Sequence, residues 1–247
     1  MVRVSQKGRG VGKPPDQDKA AFVQATFARI AHRYDLMNRL MALGRDQTWR
    51  RVTAELAALP PGGLAIDVAT GTADLAIALA RRTPTAYTVG ADFSLPMMAL
   101  GQRKVEAAGL ADRIGFVGGD ALALPFPDGA FDCAVSGFAL RNVASIPQAL
   151  AEIRRVVAPG GRAVLLELAR PRLPIFRWAF WLYFHRLAPL IGGWISGQPE
   201  AYRYLPESLA SFLYPEELKT LMEETGLQEV SYRLLDLGAA VVHVGIS

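Results

Sequence analysis

Three aspartates in the first half of the chain each end a short apolar run. They are Asp67 in LAIDVA, Asp92 in VGADFS and Asp120 in GGDALALPF. The carboxyl ends of parallel strands meet at one edge of a sheet, which is where ligands bind in open α/β folds. Acidic residues also cap helices and turns, but three at successive strand ends are harder to explain in that way. The pattern favours a ligand-binding edge lined with carboxylates.

A tight turn follows the first aspartate in the segment IDVATGTADL, where Gly71 lets backbone N–H groups approach a ligand. The dinucleotide fingerprint G-x-G-x-x-G needs three glycines, and here only Gly71 is present. Asp67 would place a carboxylate where a pyrophosphate lies, which favours a cationic ligand such as S-adenosylmethionine. Asp92 could then accept the ribose hydroxyls and Asp120 the adenine amine, with the backbone N–H of Ala121 available to a ring nitrogen.

Short apolar runs alternate with helical patterns from Leu64 onward, and the runs are apolar throughout. This is typical of a parallel sheet covered by helices on both faces. The last two runs, QEVSYRLLDL and AAVVHVGI, are separated only by Gly238 and predict an antiparallel hairpin at the sheet edge. His243 would then be a core histidine on an edge strand. The predicted fold is α/β and Rossmann-like, with a seven-stranded, mostly parallel sheet.

The composition excludes several classes of protein. With 51% hydrophobic and 20% charged residues the chain is globular, and its net charge of +4 is modest. No Lys/Arg face alternates with stacking aromatics, so we predict no nucleic-acid partner. The single Cys133 excludes an intrachain disulfide, and with isolated histidines we predict no metal site. No apolar segment follows the basic N-terminus, so we expect a cytoplasmic protein without a signal peptide.

Four parts of the chain differ in pattern. Residues 1–18 read as a disordered basic leader, and 19–247 as one domain that begins with helices over 19–60. A helical insertion over 170–212 holds WAFWLYFHRLAPLIGGWI, which contains three of the four tryptophans. His185, Arg186 and Pro189 interrupt this stretch, which argues against a membrane span. It is either a core helix or an amphipathic surface helix that contacts the inner face of the membrane through 175–195.

The segments IDVATGTADL, GADFS and GDALALPFPDGAFD resemble those of class I S-adenosylmethionine-dependent methyltransferases. More specific are RYDLMNRLMALG at 33–44 followed by Trp49, FALRNV at 138–143, RRVVAPGGRAVLLEL at 154–168 and AYRYLPESL at 201–209. With these the chain resembles the menaquinone/ubiquinone biosynthesis C-methyltransferases from about Phe27 to the C-terminus. The resemblance implies a turn glycine at Gly71 and cofactor contacts at Thr72, Asp92, Asp120, Ala121 and Ser136.

The resemblance also implies a substrate side. Tyr34 and Asn38 would lie on a lid formed by residues 19–60, with Arg141 and Asn142 at the substrate end of the fourth strand, and the insertion over 170–212 would cover the acceptor. The implied reaction is C-methylation of a prenylated quinol, with demethylmenaquinol favoured over a ubiquinone-pathway benzoquinol or another lipophilic acceptor. A cofactor-binding protein without catalysis is a further alternative, against which the intact acidic strand ends argue. Whether the protein forms a homodimer is left open.

In this reading Arg141 stabilises the quinolate while Asn142 and Tyr34 hold the ring, because arginine is a poor proton acceptor. The alternative is that Arg141 and Asn142 cap the following helix and pair with a surface carboxylate. Two positions depart from the family, which usually has glycine at Ala73 and Ala139. A methyl group at Ala73 is tolerated in helical backbone but clashes if φ is positive, and Ala139 borders the expected substrate pocket.

Overall fold

The computed structural model describes residues 35, 36, 38, 39, 42–183, 186, 208–210 and 212–247. The strands are β1 (Leu64–Val68), β2 (Tyr87–Asp92), β3 (Ile114–Gly118), β4 (Phe131–Gly137), β5 (Val157–Leu168), β6 (Gln228–Leu235) and β7 (Ala240–Ile246). The helices are α1 (Asp46–Ala57), α2 (Asp74–Arg82), α3 (Leu95–Ala107), α4 (Ile146–Val156), α5 (Pro174–Leu182) and α6 (Pro215–Glu224). The predicted leader, Tyr34 and most of the predicted insertion lie outside the described residues.

All seven strands form one sheet in the order β3-β2-β1-β4-β5-β7-β6. Strand β1 pairs in parallel with both β2 and β4, so the strand order reverses beside it. Such a reversal opens a crevice at the carboxyl ends of the strands, where α/β folds bind ligands. The predicted seven-stranded, mostly parallel sheet is confirmed.

The predicted antiparallel hairpin is also confirmed, but His243 does not lie on an edge strand. Strand β7 pairs with β5 on one side and β6 on the other, and β6 forms the edge. The inner position suits AAVVHVGI, because apart from His243 the segment is apolar throughout, as in strands buried on both faces. His243 is fully buried and its Nε2 lies 2.9 Å from the carbonyl oxygen of Pro215. Burial lowers the pKa of this imidazole to about 4, as befits a neutral core histidine.

Two hydrophobic cores lie on opposite faces of the sheet. Alternate residues of the central strands point to opposite sides, so Ala65 and Val135 join one core while Ile66 and Ala134 join the other. This explains why the strand sequences are apolar at every position. Cys133 is buried in the first core, and burial raises the pKa of its thiol to about 12, which makes it unreactive.

Short connections join strands to helices at the carboxyl ends of the parallel strands. Helix α2 begins directly after the turn that follows β1, and the side chain of Ser145 caps α4 by accepting the backbone N–H of Gln148.

Among the described residues no helix combines the length and the apolar character that crossing a bilayer requires.

Candidate functional site

The turn after β1, residues 69–73, has an unusual backbone and is called the ligand turn below. Ala69, Gly71 and Ala73 all have positive φ, at 57°, 55° and 65°. Such a conformation costs a residue with a β-carbon roughly 1–2 kcal/mol. Ala73 therefore has the positive φ at which the sequence predicts strain. Its methyl group is fully buried and packs in the hydrophobic cluster beside α2 and α3.

The side chain of Asp67, in β1, forms hydrogen bonds with the ligand turn and with the start of α2. Its Oδ2 accepts hydrogen bonds from the Thr70 hydroxyl at 2.7 Å and the Ala76 backbone N–H at 3.1 Å. The side chain is 1% exposed, and removal from water raises the pKa of the carboxyl to about 7. A cation arriving beside the turn would favour the ionised form, so this carboxylate suits a positively charged ligand.

Asp92 is tied to the same turn from the neighbouring strand. Its Oδ2 accepts the Gly71 N–H at 2.8 Å and its Oδ1 accepts the Ser94 N–H at 2.7 Å. Burial raises the pKa of this carboxyl as well, against the effect of these backbone donors. The buried Ser94 hydroxyl has no hydrogen-bond partner among the described residues, so the site keeps an unused polar group beside Asp92.

The remaining predicted cofactor residues lie along the same edge. Asp120 is exposed after β3, and its Oδ1 accepts the Leu122 N–H at 2.9 Å. Ala121 next to it is buried. Ser136 near the end of β4 is also buried and donates its hydroxyl proton to the Val68 carbonyl at 2.8 Å, which joins β4 to β1.

Thr72 faces a different direction from the rest of the predicted set. Its hydroxyl donates to Oδ1 of Asp35 at 2.5 Å and accepts from the Lys104 ammonium at 3.2 Å. The side chain therefore contacts the N-terminal segment, meaning residues 35–45 in their described part. A cofactor contact at Thr72 would have to come from its backbone.

Arg141 belongs to a buried ion pair at the ends of β4 and β5. Its Nη1 lies 2.8 Å from Oε2 of Glu167, and both side chains are almost inaccessible to solvent. The other oxygen of Glu167 accepts the Leu140 N–H at 2.8 Å. Burial raises the pKa of Glu167, while Arg141 acts in the opposite direction. The alternative of a helix cap paired with a surface carboxylate is wrong, since Ser145 caps α4 and the partner carboxylate is buried.

Phe138 connects this pair to α1. The residue has a positive φ of 60°, and its ring lies 5.7 Å from the guanidinium carbon of Arg141 and 5.6 Å from that of Arg50. Two cations on one ring make cation–π contacts that position both guanidinium groups. Asn142 donates its side-chain N–H to the Phe138 carbonyl at 3.2 Å. Ala139 has a φ of −105°, so the departure from glycine there brings no backbone strain.

The predicted lid is described only in part. Asn38 presents a buried side-chain nitrogen that has no hydrogen-bond partner among the described residues. Tyr34 lies outside the described residues, and its proposed role stays a prediction.

The sequence patterns missed Glu167, Ser94 and Lys104. Glu167 could have been found by the rule that identified the three aspartates, because it too lies near the end of a buried strand, in VLLELA. Ser94 follows Asp92 at the start of α3. Lys104 is one of two adjacent basic residues on α3, and nothing in the spacing distinguishes it from Arg103.

Comparison with known proteins identifies the relatives of the chain. Residues 15–247 match the model of the ubiE/COQ5 methyltransferase family. The chain is 49% identical to a demethylmenaquinone methyltransferase of Roseiflexus castenholzii over 94% of its own length and 96% of the relative's. It is 50% identical to one of Thermus thermophilus, covering 89% of this chain and 98% of the relative. A ubiquinone/menaquinone biosynthesis C-methyltransferase of Geobacter sulfurreducens is 42% identical, over 92% and 89%.

Solved structures share the fold at low sequence identity. An S-adenosylmethionine-dependent methyltransferase of Thermotoga maritima, described as a possible histamine N-methyltransferase, superposes with a TM-score of 0.65 at 18% identity, covering 91% of this chain and 99% of that one. The [4+2]-cyclase SpnF superposes with a TM-score of 0.68 at 17% identity, covering 98% and 99%. Because a methyltransferase and a cyclase share it, the fold alone does not define the reaction. The family match does define the relationship: the chain belongs to the ubiE/COQ5 methyltransferase family.

Proposed function

We propose that the protein transfers a methyl group from S-adenosylmethionine to a ring carbon of a prenylated quinol, with demethylmenaquinol as the acceptor. The observation that carries the proposal is the match over nearly the full length, at 49% and 50% identity, with proteins named demethylmenaquinone methyltransferase. A relative named for both quinones is 42% identical. A benzoquinol of the ubiquinone pathway is therefore the second candidate acceptor.

The residues of the edge fit the proposed cofactor. Asp67 and Asp92 are buried carboxylates with raised pKa values, and neither forms an ion pair with a described residue. A sulfonium ligand would supply the missing positive charge, and Ser94 offers a buried hydroxyl with no described partner. In the proposed arrangement Asp92 holds the ribose hydroxyls, and Asp120 with the backbone of Ala121 holds the adenine. When bound, the cofactor supplies an electrophilic methyl group.

In the proposed reaction the Arg141–Glu167 pair is the part of the chain that activates the acceptor. A quinol becomes nucleophilic at the ortho carbon as its phenolic proton is lost, so the protein must stabilise the developing phenolate. Glu167 already balances the charge of Arg141 and occupies its Nη1. In the proposed mechanism the guanidinium of Arg141, held in place by Glu167, faces the phenolate, and a preorganised positive group of this kind stabilises developing negative charge strongly. Asn142 and Tyr34 would hold the ring.

We also propose that α5 contacts the bilayer that holds the prenyl tail. Ile175 is 86% exposed, Trp178 65% and Trp181 50%, which is unusual for large apolar side chains on one short helix. Exposed tryptophans beside arginines are typical of helices that lie in a membrane interface. Arg172 precedes these residues, and Arg177 lies directly before Trp178.

A second exposed apolar element lies close to the chain that leads into α5. Leu43 and Leu237 are both exposed on loops with positive φ, and an ion pair between Arg45 and Asp236 at 2.7 Å joins the two loops. The backbone N–H of Ala169 bonds the carbonyl of Ala239 at 3.0 Å, so the loop of Leu237 borders the chain that leads into α5. These leucines extend the proposed membrane contact beyond one helix.

The proposed reaction is tested with labelled S-adenosylmethionine and reduced demethylmenaquinone, and in parallel with the reduced benzoquinone counterpart. We expect label in the naphthoquinone and much less in the benzoquinone. Comparable or greater transfer to the benzoquinone would favour the second candidate, and transfer to neither would reject both.

Membrane contact is tested by sedimentation with anionic vesicles. We expect Trp178→Gln combined with Trp181→Gln to lower the bound fraction. Tyr87→Gln removes an exposed aromatic ring from the amino-terminal end of β2, on the side of the sheet away from the carboxyl ends of the strands, and is the matched control. Equal binding of the three proteins would make α5 an ordinary surface helix.

A further inference from the structure

Lys104 joins three parts of the chain that are distant in sequence. Its ammonium lies 2.6 Å from Oδ2 of Asp35, 2.5 Å from Oδ1 of Asp74 and 3.2 Å from the hydroxyl of Thr72. An ammonium has three N–H donors, so these three acceptors use all of them. The Thr72 hydroxyl closes a ring by donating to the other oxygen of Asp35. One lysine of α3 thus holds the N-terminal segment, the ligand turn and the start of α2 together.

The packing of α3 explains why the lysine reaches this position. A β-carbon at Gly101 would lie 3.1 Å from the backbone carbonyl carbon of Thr72 and 3.3 Å from Cβ of Ala73. Glycine therefore lets the helix approach the ligand turn closely, and Lys104 follows almost one helical turn later on the same face. The geometry places this ammonium within reach of the turn.

Lys104 forms more than a single surface ion pair, because two carboxylates share its charge. Asp35 and Asp74 both contact the same ammonium, so their carboxylates face each other across it. Arg50 lies 3.5 Å from Asp74 but is itself paired with Asp46 at 2.5 Å. Without the lysine, Arg50 would be the cation nearest to Asp74 and would be shared with Asp46. Asp35 would then face an excess of negative charge, and the N-terminal segment would be repelled from the turn.

We propose that Lys104 is a positioning residue that fastens the N-terminal segment to the ligand turn, and so couples cofactor binding to acceptor binding. The segment carries Asn38, whose buried side-chain nitrogen has no described partner. A cofactor that orders the turn also orders Thr72 and Asp74, which strengthens the hold on Asp35. Coupling of this kind is reciprocal, because each ligand must raise the affinity of the other by the same factor. The acceptor side of this inference rests on the proposed function.

The first test measures the coupling directly. The Kd of oxidised demethylmenaquinone is measured with and without S-adenosylhomocysteine, which cannot transfer a methyl group. In the natural protein we expect about fivefold or greater tightening, and in Lys104→Met a ratio within about twofold of one. Arg103→Met removes the same charge from an exposed position on the same helix and should retain the coupling. A Lys104→Met protein with a lower Tm but undiminished coupling would overturn the proposal, because that is the result of a purely structural role.

A second variant separates electrostatic repulsion from misfolding. Adding Asp35→Asn to Lys104→Met removes one of the two facing carboxylates, and the amide can still accept the Thr72 hydroxyl proton. We expect the double variant to couple the two ligands better than Lys104→Met alone. Equal or weaker coupling would contradict the charge argument.

The last test needs no acceptor and therefore separates this inference from the proposed function. Hydrogen exchange over residues 30–45 is measured with and without S-adenosylhomocysteine. We expect protection in the natural protein and in Arg103→Met, and little in Lys104→Met. If quinols are not methylated but this protection pattern is found, the acceptor is wrong and the link between segment and turn stands. If Lys104→Met is protected as well as the natural protein, the proposal is overturned even if quinols are methylated.

Discussion

The two halves of the functional edge bury carboxylates in opposite ways. At the ends of β1 and β2, Asp67 and Asp92 are satisfied by backbone N–H groups and a hydroxyl. At the end of β5, Glu167 is paired with the guanidinium of Arg141. A buried charge without an ion partner is costly, so the first half is prepared for a cation. The second half pairs its carboxylate with a cation of the protein itself, so it carries little net charge.

The largest effect should come from removing Arg141 from its ion pair with Glu167. Arg141→Ala removes the guanidinium proposed to face the phenolate and should lower kcat about 10²–10³-fold, with little change in the Kd of S-adenosylmethionine. It also leaves Glu167 buried and unpaired, which should cost about 3–5 kcal/mol of folding stability. Turnover assays, isothermal titration and urea unfolding measure the three quantities. Unchanged turnover would remove Arg141 from the proposed mechanism.

A matched double variant separates the two consequences of that change. Arg141→Met with Glu167→Leu replaces the ion pair by apolar side chains, which often restores stability. We expect the free energy of unfolding to recover while turnover stays low. Recovery of turnover with stability would mean that the pair only holds β4 and β5 together.

The next effect concerns the half prepared for a cation. Asp92→Asn keeps the shape of the side chain but removes its charge, and hydrogen bonds to a charged group contribute about 1.5–3 kcal/mol. We therefore expect the Kd of S-adenosylmethionine to rise about 10- to 100-fold, with a much smaller change in kcat at saturating cofactor. A variant that lowers kcat and leaves the Kd unchanged would contradict the division of labour between the halves.

Asp67 should make cofactor binding depend on pH. Its carboxyl has a pKa of about 7 in the free protein, and a neighbouring sulfonium lowers that pKa in the complex. Below about pH 7 binding then releases a proton, so affinity should rise as pH increases toward 7 and level off above it. Asp67→Asn should flatten the profile, and S-adenosylhomocysteine, which lacks the sulfonium, should show a smaller slope. An equal slope for the two ligands would assign the titration to another group.

The same raised pKa affects folding in the opposite sense. The folded protein binds this proton more tightly than the unfolded chain, so the stability from the protonated carboxyl is present below about pH 4 and is lost as pH rises through about 7. Urea unfolding of the ligand-free protein across this range should show a shallower loss in Asp67→Asn.

The smallest effect compares one buried alanine from each half. Ala73 has a φ of 65° and Ala139 a φ of −105°. Replacing either by glycine removes one methyl group and loosens the unfolded chain, but only Ala73→Gly relieves a left-handed conformation. We expect Ala73→Gly to be less destabilising than Ala139→Gly by about 1–2 kcal/mol. Equal values in urea unfolding would mean that the surroundings of Ala73 absorb the strain.

Local patterns predicted most of the fold because apolar residues are spaced differently along buried strands and along the helices that connect them. The ends of β1, β2 and β3 could be assigned, and with them Asp67, Asp92 and Asp120, since each aspartate directly follows an apolar run. The hairpin was also predicted, but the position of β7 between β5 and the edge strand β6 was not. Which strand of a hairpin pairs inward depends on contacts with β5, which lies some 70 residues earlier in the chain.

The sequence by itself determined the sheet, the carboxylates at the carboxyl ends of its strands and the resemblance to a methyltransferase family, because these depend on residues close together in the chain. Only the tertiary structure decided which charges are paired. Arg141 meets Glu167 across 26 positions and Lys104 meets Asp35 across 69. The partner of a charged side chain shifts its pKa and fixes its orientation. Partners so far apart in sequence are brought together only by tertiary packing. For that reason the sequence could nominate Arg141 and Thr72, and only the structure showed that their partners are Glu167 and Lys104.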